Sequence, residues 1–164
     1  MKTIEILGDN REPVYTKIIE GCRGILTRDG KILLSYERQI DQWLIPGGGL
    51  EEGESLTECC KRELAEEAGI TVNPHTHYLT LEEYYHENYF KSHYFLCDQI
   101  GECERHLTEE ETRQGLEPVW VEFDEALKIF GSYPDYKGVN EIRYGAYYRE
   151  YTALLEFKDF ISNI

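Results

Sequence analysis

Glu63, Glu66 and Glu67 stand at i, i+3 and i+4 in the run CKRELAEEAG, a spacing that puts their side chains on one face of a helix. Leu56, Cys60, Leu64 and Ala68 recur every four residues and form an apolar stripe on the same helix. The acidic face overlaps the edge of that stripe. Three carboxylates at the border of a buried surface repel one another and are costly to desolvate. Divalent cations resolve that cost, because hard oxygen ligands are what Mg²⁺ and Mn²⁺ prefer. The competing reading is a solvated acidic face, the usual meaning of clustered glutamates in an acidic chain. What tips the balance toward chemistry is the set of residues around the cluster.

The full run from residue 48 to residue 70 is GGLEEGESLTECCKRELAEEAGI. It fits G-x5-E-x7-R-E-U-x-E-E-x-G-U, with U aliphatic, at all nine fixed positions over twenty-three residues. In this the chain resembles the Nudix hydrolases (MutT-like). The resemblance implies metal-dependent hydrolysis of a diphosphate bond in a nucleoside diphosphate linked to another group. It further implies Mg²⁺ or Mn²⁺ as cofactor and a small-molecule nucleotide as partner. By the same resemblance Glu63, Glu66 and Glu67, with the backbone carbonyl of Gly47, are the metal ligands. Glu54 and Arg62 pair in that family, so with Gly48 and Gly69 they are the structural members of the box. The general base is either Glu63 or an acid of HLTEEETRQGLE, which offers Glu109, Glu110 and Glu111. Glu111 lies nearest the following strand, so the catalytic candidates are Glu63, Glu66 and Glu111. The alternative is a catalytically silent, nucleotide-binding relative, but such proteins normally lose box glutamates and here all are present.

Substrate selection lies outside the box. Stacking of a base on an aromatic ring is the commonest device, and Trp43, Tyr84, Tyr85, Tyr89 and Phe90 are available, although strand packing or surface coverage is the commoner role of each such ring. Arg23, Arg38 and Lys91 are the cations that could reach phosphates, and each reads equally well as a solvated strand residue. From these Arg38, Trp43 and Tyr85 are taken as the substrate-binding candidates. The proline that ADP-ribose-specific relatives carry beyond the box is absent from EEYYHEN, and so is the long signature of NADH-specific members. The tyrosines there are weakly similar to those of dinucleoside-polyphosphate hydrolases.

Something must hold these groups in place. Ser55 with Glu58 three residues on predicts a capping box, and Gly69 sits where a helix closes, so the box helix runs from just after Ser55 to Ala68. GCRGILTR and KILLSYER flank Asp29–Gly30, a hairpin signal. Residues 14–20 read as an extended lead-in. Trp43 to Ile45 read as a short strand ending at Pro46 and a glycine-rich turn that lets backbone approach a ligand closely. HYLTLEEYYHE and YFKSHYFLCDQ read as two strands joined near Asn88, and PVWVEF as another, followed by a helix from Asp124 to Phe130. Residues 139–164 read as a terminal helix. Strands around one central helix, closed by C-terminal helices, predict an α/β/α sandwich around a mixed β-sheet. The resembled family shares that architecture, with the box as a loop–helix–loop.

At 164 residues the chain suits one domain, 1–164, with a core at about 18–130. The 41% hydrophobic content argues for a folded globule. A net charge of −15 argues against a nucleic-acid partner and repels an anionic substrate at long range, so bound metal must supply the local positive charge. Five cysteines without a CxxC pair suggest neither zinc nor a disulfide framework. MKTIEILGDN has no apolar signal core and no stretch is long enough to span a bilayer. The expectation is a cytoplasmic protein without a membrane partner, and a homodimer is left open.

Overall fold

Asp29 and Gly30 both take positive φ, 50° and 78°, the conformation a tight two-residue hairpin turn demands. They fold β3 (Thr27–Arg28) back on β4 (Lys31–Glu37). β5 (Gln42–Leu44) continues along the same edge of β4, and β9 (Leu116–Glu122) covers its other edge. All pairings in this smaller sheet are antiparallel. A second, five-stranded sheet collects β1 (Lys2–Leu7), β2 (Lys17–Ile25), β6 (Gly47–Gly49), β7 (Ile70–Tyr85) and β8 (Asn88–Glu102). Its order is β1-β7-β8-β2-β6, with β1/β7 and β8/β2 parallel and the other pairs antiparallel. The computed structural model describes residues 1–164.

The helices sit on the two faces. α1 (Leu56–Ala68) buries Cys59, Cys60 and Leu64 against Cys22, Phe95 and Cys97 of the larger sheet. α3 (Phe123–Gly131) and α4 (Glu141–Ser162) close the other side, where Phe130 and Leu154 meet Ile25, Leu79, Leu81 and Tyr94. Two apolar clusters on opposite sides of a mixed sheet make the α/β/α sandwich expected from the sequence. No helix is long and apolar enough to cross a membrane.

Several local expectations differ. The N-terminal decapeptide supplies β1, whose parallel partner Leu79–Tyr84 lies far along the chain, so no local signal announces it. The glycines after Pro46 form β6 rather than an open turn, because Gly47 to Gly49 pair with Arg23 to Gly21. The acidic stretch read as a loop contains α2 (Glu109–Gln114), closed by a Thr108–Glu111 capping box and by Gly115 at φ 67°. The lead-in at 14–20 becomes strand only from Lys17, and the terminal helix starts at Glu141.

Candidate active site

Ser55 and Glu58 exchange two bonds: the Glu58 N–H donates to Ser55 Oγ at 3.1 Å, and the Ser55 N–H donates to Glu58 Oε2 at 2.9 Å. At the other end Gly69 takes φ 68° and closes the last turn. Both ends fixed, α1 has one rotational phase, and that phase buries Glu63 and Glu67 and leaves Glu66 half-buried.

Strand β6 comes close enough to touch them. A Cβ on Gly48 would stand 2.4 Å from Glu63 Oε2, and one on Gly47 would stand 2.1 Å from the Cys22 carbonyl. Only glycine admits this approach. The Gly47 N–H donates to Glu67 Oε2 at 3.3 Å, and the Ser35 hydroxyl donates to the same oxygen at 3.3 Å. Bonds from Gly24 N to Pro46 O and from Leu50 N to Glu20 O set the phase of the β2–β6 ladder, so the polar groups of Gly47 face away from β2.

Arg62 is the counter-charge of the cluster. It grips Glu54 with two bonds, Nε to Oε1 at 2.6 Å and Nη2 to Oε2 at 3.0 Å. Nη2 also donates to the Gly49 carbonyl at 2.8 Å, which ties loop to helix. Nη1 reaches Glu63 at 2.8 Å and Glu66 at 3.3 Å. The three glutamates are thus brought to one edge of α1 but divided between two sets of partners. No three His, Cys, Asp or Glu side chains form a ready ligand array. Burial, with Glu63 and Glu111 adding repulsion against Arg23, pushes Glu67 up to about 8. Burial likewise raises Glu63, while Arg62 pulls it back and Glu66 and Glu111 push it up again. Closely set, poorly solvated carboxyls beside a backbone carbonyl strand suit a hard divalent cation.

Behind the glycine strand lies a buried ionic network. Glu150 of α4 is fully buried and accepts from the Ile45 N–H at 2.5 Å, Tyr94 Oη at 2.6 Å and Arg149 Nε at 2.9 Å. Arg23 Nε lies 3.9 Å from the same carboxylate, and Arg23 Nη1 donates to the Ile45 carbonyl at 2.6 Å. Burial opposes the charge on Glu150, but Arg149, Arg23 and Tyr94 overcome it and hold its carboxyl below the usual range. Ile45 immediately precedes Pro46 and Gly47, so this network fixes the approach of the strand that meets Glu63 and Glu67.

The remaining sequence candidates scatter. Glu111 is half-buried and close enough to raise both Glu63 and Glu67, although its own carboxylate caps α2 by accepting from the Thr108 N–H at 2.9 Å. Glu110 is occupied with Arg113 and Gln114. Arg38 is exposed and packs beside Gly115. Trp43 is half-buried, stacks on Tyr36 with ring centroids 4.2 Å apart and gives its backbone N–H to Tyr147 Oη. Lys91 faces Glu82 at 3.9 Å. Tyr84 and Tyr89 stack on each other at 4.8 Å. Tyr85 stands apart from all of these, in a cavity beside α4. Ser35, Glu83, Arg149 and Glu150 escaped the sequence reading. A lone buried glutamate on an otherwise apolar helix face, as at position 150, is the one signal that pointed to any of them.

A family profile described as NUDIX domain matches residues 21–141. Over 62 residues the chain is 39% identical to the 8-oxo-dGTP diphosphatase of Buchnera aphidicola subsp. Schizaphis graminum (strain Sg), covering 35% of this chain and 45% of that protein. Over 89 residues it is 32% identical to a putative ADP-ribose pyrophosphatase of Bacillus subtilis (strain 168), covering 53% of this chain and 43% of that protein. The solution structure of the E. coli ORF135 protein superposes with a TM-score of 0.53 at 30% identity, over 69% of this chain and 79% of that one. The chain spans less than half the length of the curated relatives it matches.

Proposed function

The chain belongs to the NUDIX family, and from that premise we propose that it is a divalent-cation-dependent hydrolase cleaving the diphosphate bond of a nucleoside diphosphate linked to another group. The observation that carries this reading is the burial of Glu63 and Glu67 against the glycine strand, where no side chain separates helix from backbone. Glu63, Glu66, Glu67 and the Gly47 carbonyl are the oxygen donors that would hold Mg²⁺ or Mn²⁺. A cation bound there would neutralise the diphosphate oxygens and acidify a bound water.

The chain's own groups supply the rest. Arg62 keeps Glu63 and Glu66 at the site and anchors the loop through Glu54. Ser35 and the Gly47 N–H hold the Glu67 carboxyl in one orientation. Arg23 and Glu150 keep the strand leading to Gly47 from shifting, which matters because a misplaced group forfeits much of the advantage of a preset geometry. The strong negative charge favours a free nucleotide over a nucleic acid as partner. Five free thiols, four of them buried, fit a cytoplasmic setting.

Release of orthophosphate or pyrophosphate from a panel of nucleoside triphosphates, oxidised deoxynucleotides, ADP-ribose, NADH and diadenosine polyphosphates tests the proposal. Turnover of at least one member is expected with Mg²⁺ or Mn²⁺, and silence across the panel with both metals would reject it.

The general base is Glu63 or an acid of α2. A base must lie within hydrogen-bond reach of the attacking water, and Glu111, the half-buried acid of α2, bears on both buried box carboxyls. Glu109→Gln and Glu110→Gln are therefore expected to keep near-normal rates. If Glu111 is the base, Glu111→Gln lowers kcat without weakening metal affinity. If Glu63 is the base, Glu111→Gln stays active and Glu63→Gln is the crippled variant. Rate and metal affinity measured on all four variants decide between the two, and loss of rate in Glu109→Gln or Glu110→Gln would contradict the placement of Glu111.

A further inference from the structure

Between the β7–β8 hairpin and the first turns of α4 lies a cavity of about 310 Å³ that none of the box carboxylates lines. Its wall holds two buried polar atoms without any hydrogen-bond partner, Glu83 Oε1 and Tyr85 Oη. Unpartnered buried groups are rare enough that each needs a cause. Two such residues in the wall of one cavity mark a place where a ligand supplies the missing partners.

Glu83 is 2% exposed. The nearer of the two cations that act on it, Arg149, keeps its nearest nitrogen 4.0 Å from Glu83 Oε1, outside hydrogen-bond reach, and is committed to Glu150 at 2.9 Å. Burial pushes the Glu83 carboxyl up to about 7, with Arg149 opposing. An anionic group has no place here, since Arg149 is already neutralised and Glu141 adds a second carboxylate at the rim. Tyr85 and Phe90 add flat aromatic surface suited to a planar ring.

The sheet register relates this cavity to the candidate active site. Gly47 pairs with Arg23, Arg23 with Tyr94, and Phe90 with Glu83. Tyr94 and Phe90 are four residues apart on β8, so Arg23 and Glu83 share a face with roughly 13 Å between their rungs at ~3.3 Å per residue. Arg23 lies between, close enough to lower the carboxyls of both Glu67 and Glu83. A nucleotide with its diphosphate at the box would extend its base toward the cavity.

We propose that Glu83 is a specificity-determining residue, and that the cavity takes a flat heterocycle presenting two adjacent N–H donors to its carboxyl. The proposal rests on the diphosphohydrolase reading for the identity of the ring as a nucleotide base. A carboxylate offers two acceptor oxygens and no donor. Among common bases, the edge bearing the guanine N1–H and its 2-amino group supplies two neighbouring donors. Adenine, cytosine and uracil each place an acceptor beside every N–H on that edge, which would face a carboxylate oxygen lone pair to lone pair.

Equilibrium binding of guanosine 5′-monophosphate and inosine 5′-monophosphate to the full chain without added metal, by calorimetry at pH 8, tests this. The two probes differ only in the 2-amino group. Wild type is expected to bind the guanosine compound about tenfold or more tightly, since the amine meets an otherwise unpaired charged acceptor. Glu83→Gln keeps the shape but replaces one acceptor with a donor, and is expected to bring the two affinities within about threefold. Equal wild-type affinities, or an unchanged preference in folded Glu83→Gln, would overturn the proposal. The wild-type ratio requires no variant, so a misfolded Glu83→Gln leaves the test intact. This binding ratio is also independent of turnover: a catalytically silent protein that still prefers the guanosine compound refutes the hydrolase reading and supports the role of Glu83.

Discussion

Replacing Glu67 with Gln is expected to lower kcat by about 10²-fold or more while leaving the fold intact. The side chain keeps its size, and its carbonyl oxygen still accepts from the Gly47 N–H and the Ser35 hydroxyl. What disappears is one negative charge where a cation is to be held. The loss should therefore fall on kcat and on metal affinity together. A control comes from the metal-free protein. Glu67 is pushed up to about 8 from an ordinary 4.5, chiefly by burial. A carboxyl whose folded pKa is raised contributes stability that is complete below about pH 4.5 and lost as pH rises through 8. Gln cannot ionise, so the thermal midpoint of metal-free Glu67→Gln should fall less than that of wild type between pH 5 and pH 9. A near-wild-type rate at saturating metal would remove Glu67 from the site. An unaltered pH profile of stability would show that its carboxyl is not held in the fold as described.

The second large effect is on stability. Glu150→Ala leaves the half-buried Arg23 and Arg149 without their shared, fully buried counter-charge and strips the Ile45 N–H and Tyr94 Oη of an acceptor. Removing one member of a buried ion pair typically costs about 3–5 kcal/mol, much of a domain's total stability. Urea unfolding should show a lower midpoint with an unchanged slope. Because Ile45 leads directly into Pro46 and Gly47, residual folded protein should also lose turnover. A variant within about 1 kcal/mol of wild type, the size of an ordinary single hydrogen bond, would contradict the assigned network.

What was legible in the sequence was local. The box helix, its two caps and the Asp29–Gly30 turn rest on contacts a few residues apart, and each follows from propensity and capping rules. Arg62 and Glu54 are eight residues apart, and the resemblance to a known pattern joined them. The rest was closed to reading because its causes are distant in sequence. Glu150 meets Ile45 across 105 positions, and Lys2 to Leu7 become a strand only because Leu79 to Tyr84 offer a free edge. α2 is six residues long with no buried residue and no apolar stripe, so its capping box was its only signature. The aromatic candidates were hard to rank for a related reason. In a chain with thirteen tyrosines most rings pack on one another, as Trp43 does on Tyr36, and only the cavity distinguishes Tyr85.

On the proposed function, these glutamates work by holding a divalent cation against a diphosphate. The most direct measurement is turnover of a responsive nucleotide by metal-stripped enzyme, first in excess chelator and then with Mg²⁺ or Mn²⁺ restored. The expected result is negligible hydrolysis in chelator, recovery on metal addition, and no such recovery in Glu67→Gln. Substantial hydrolysis in chelator after exhaustive metal removal would contradict it.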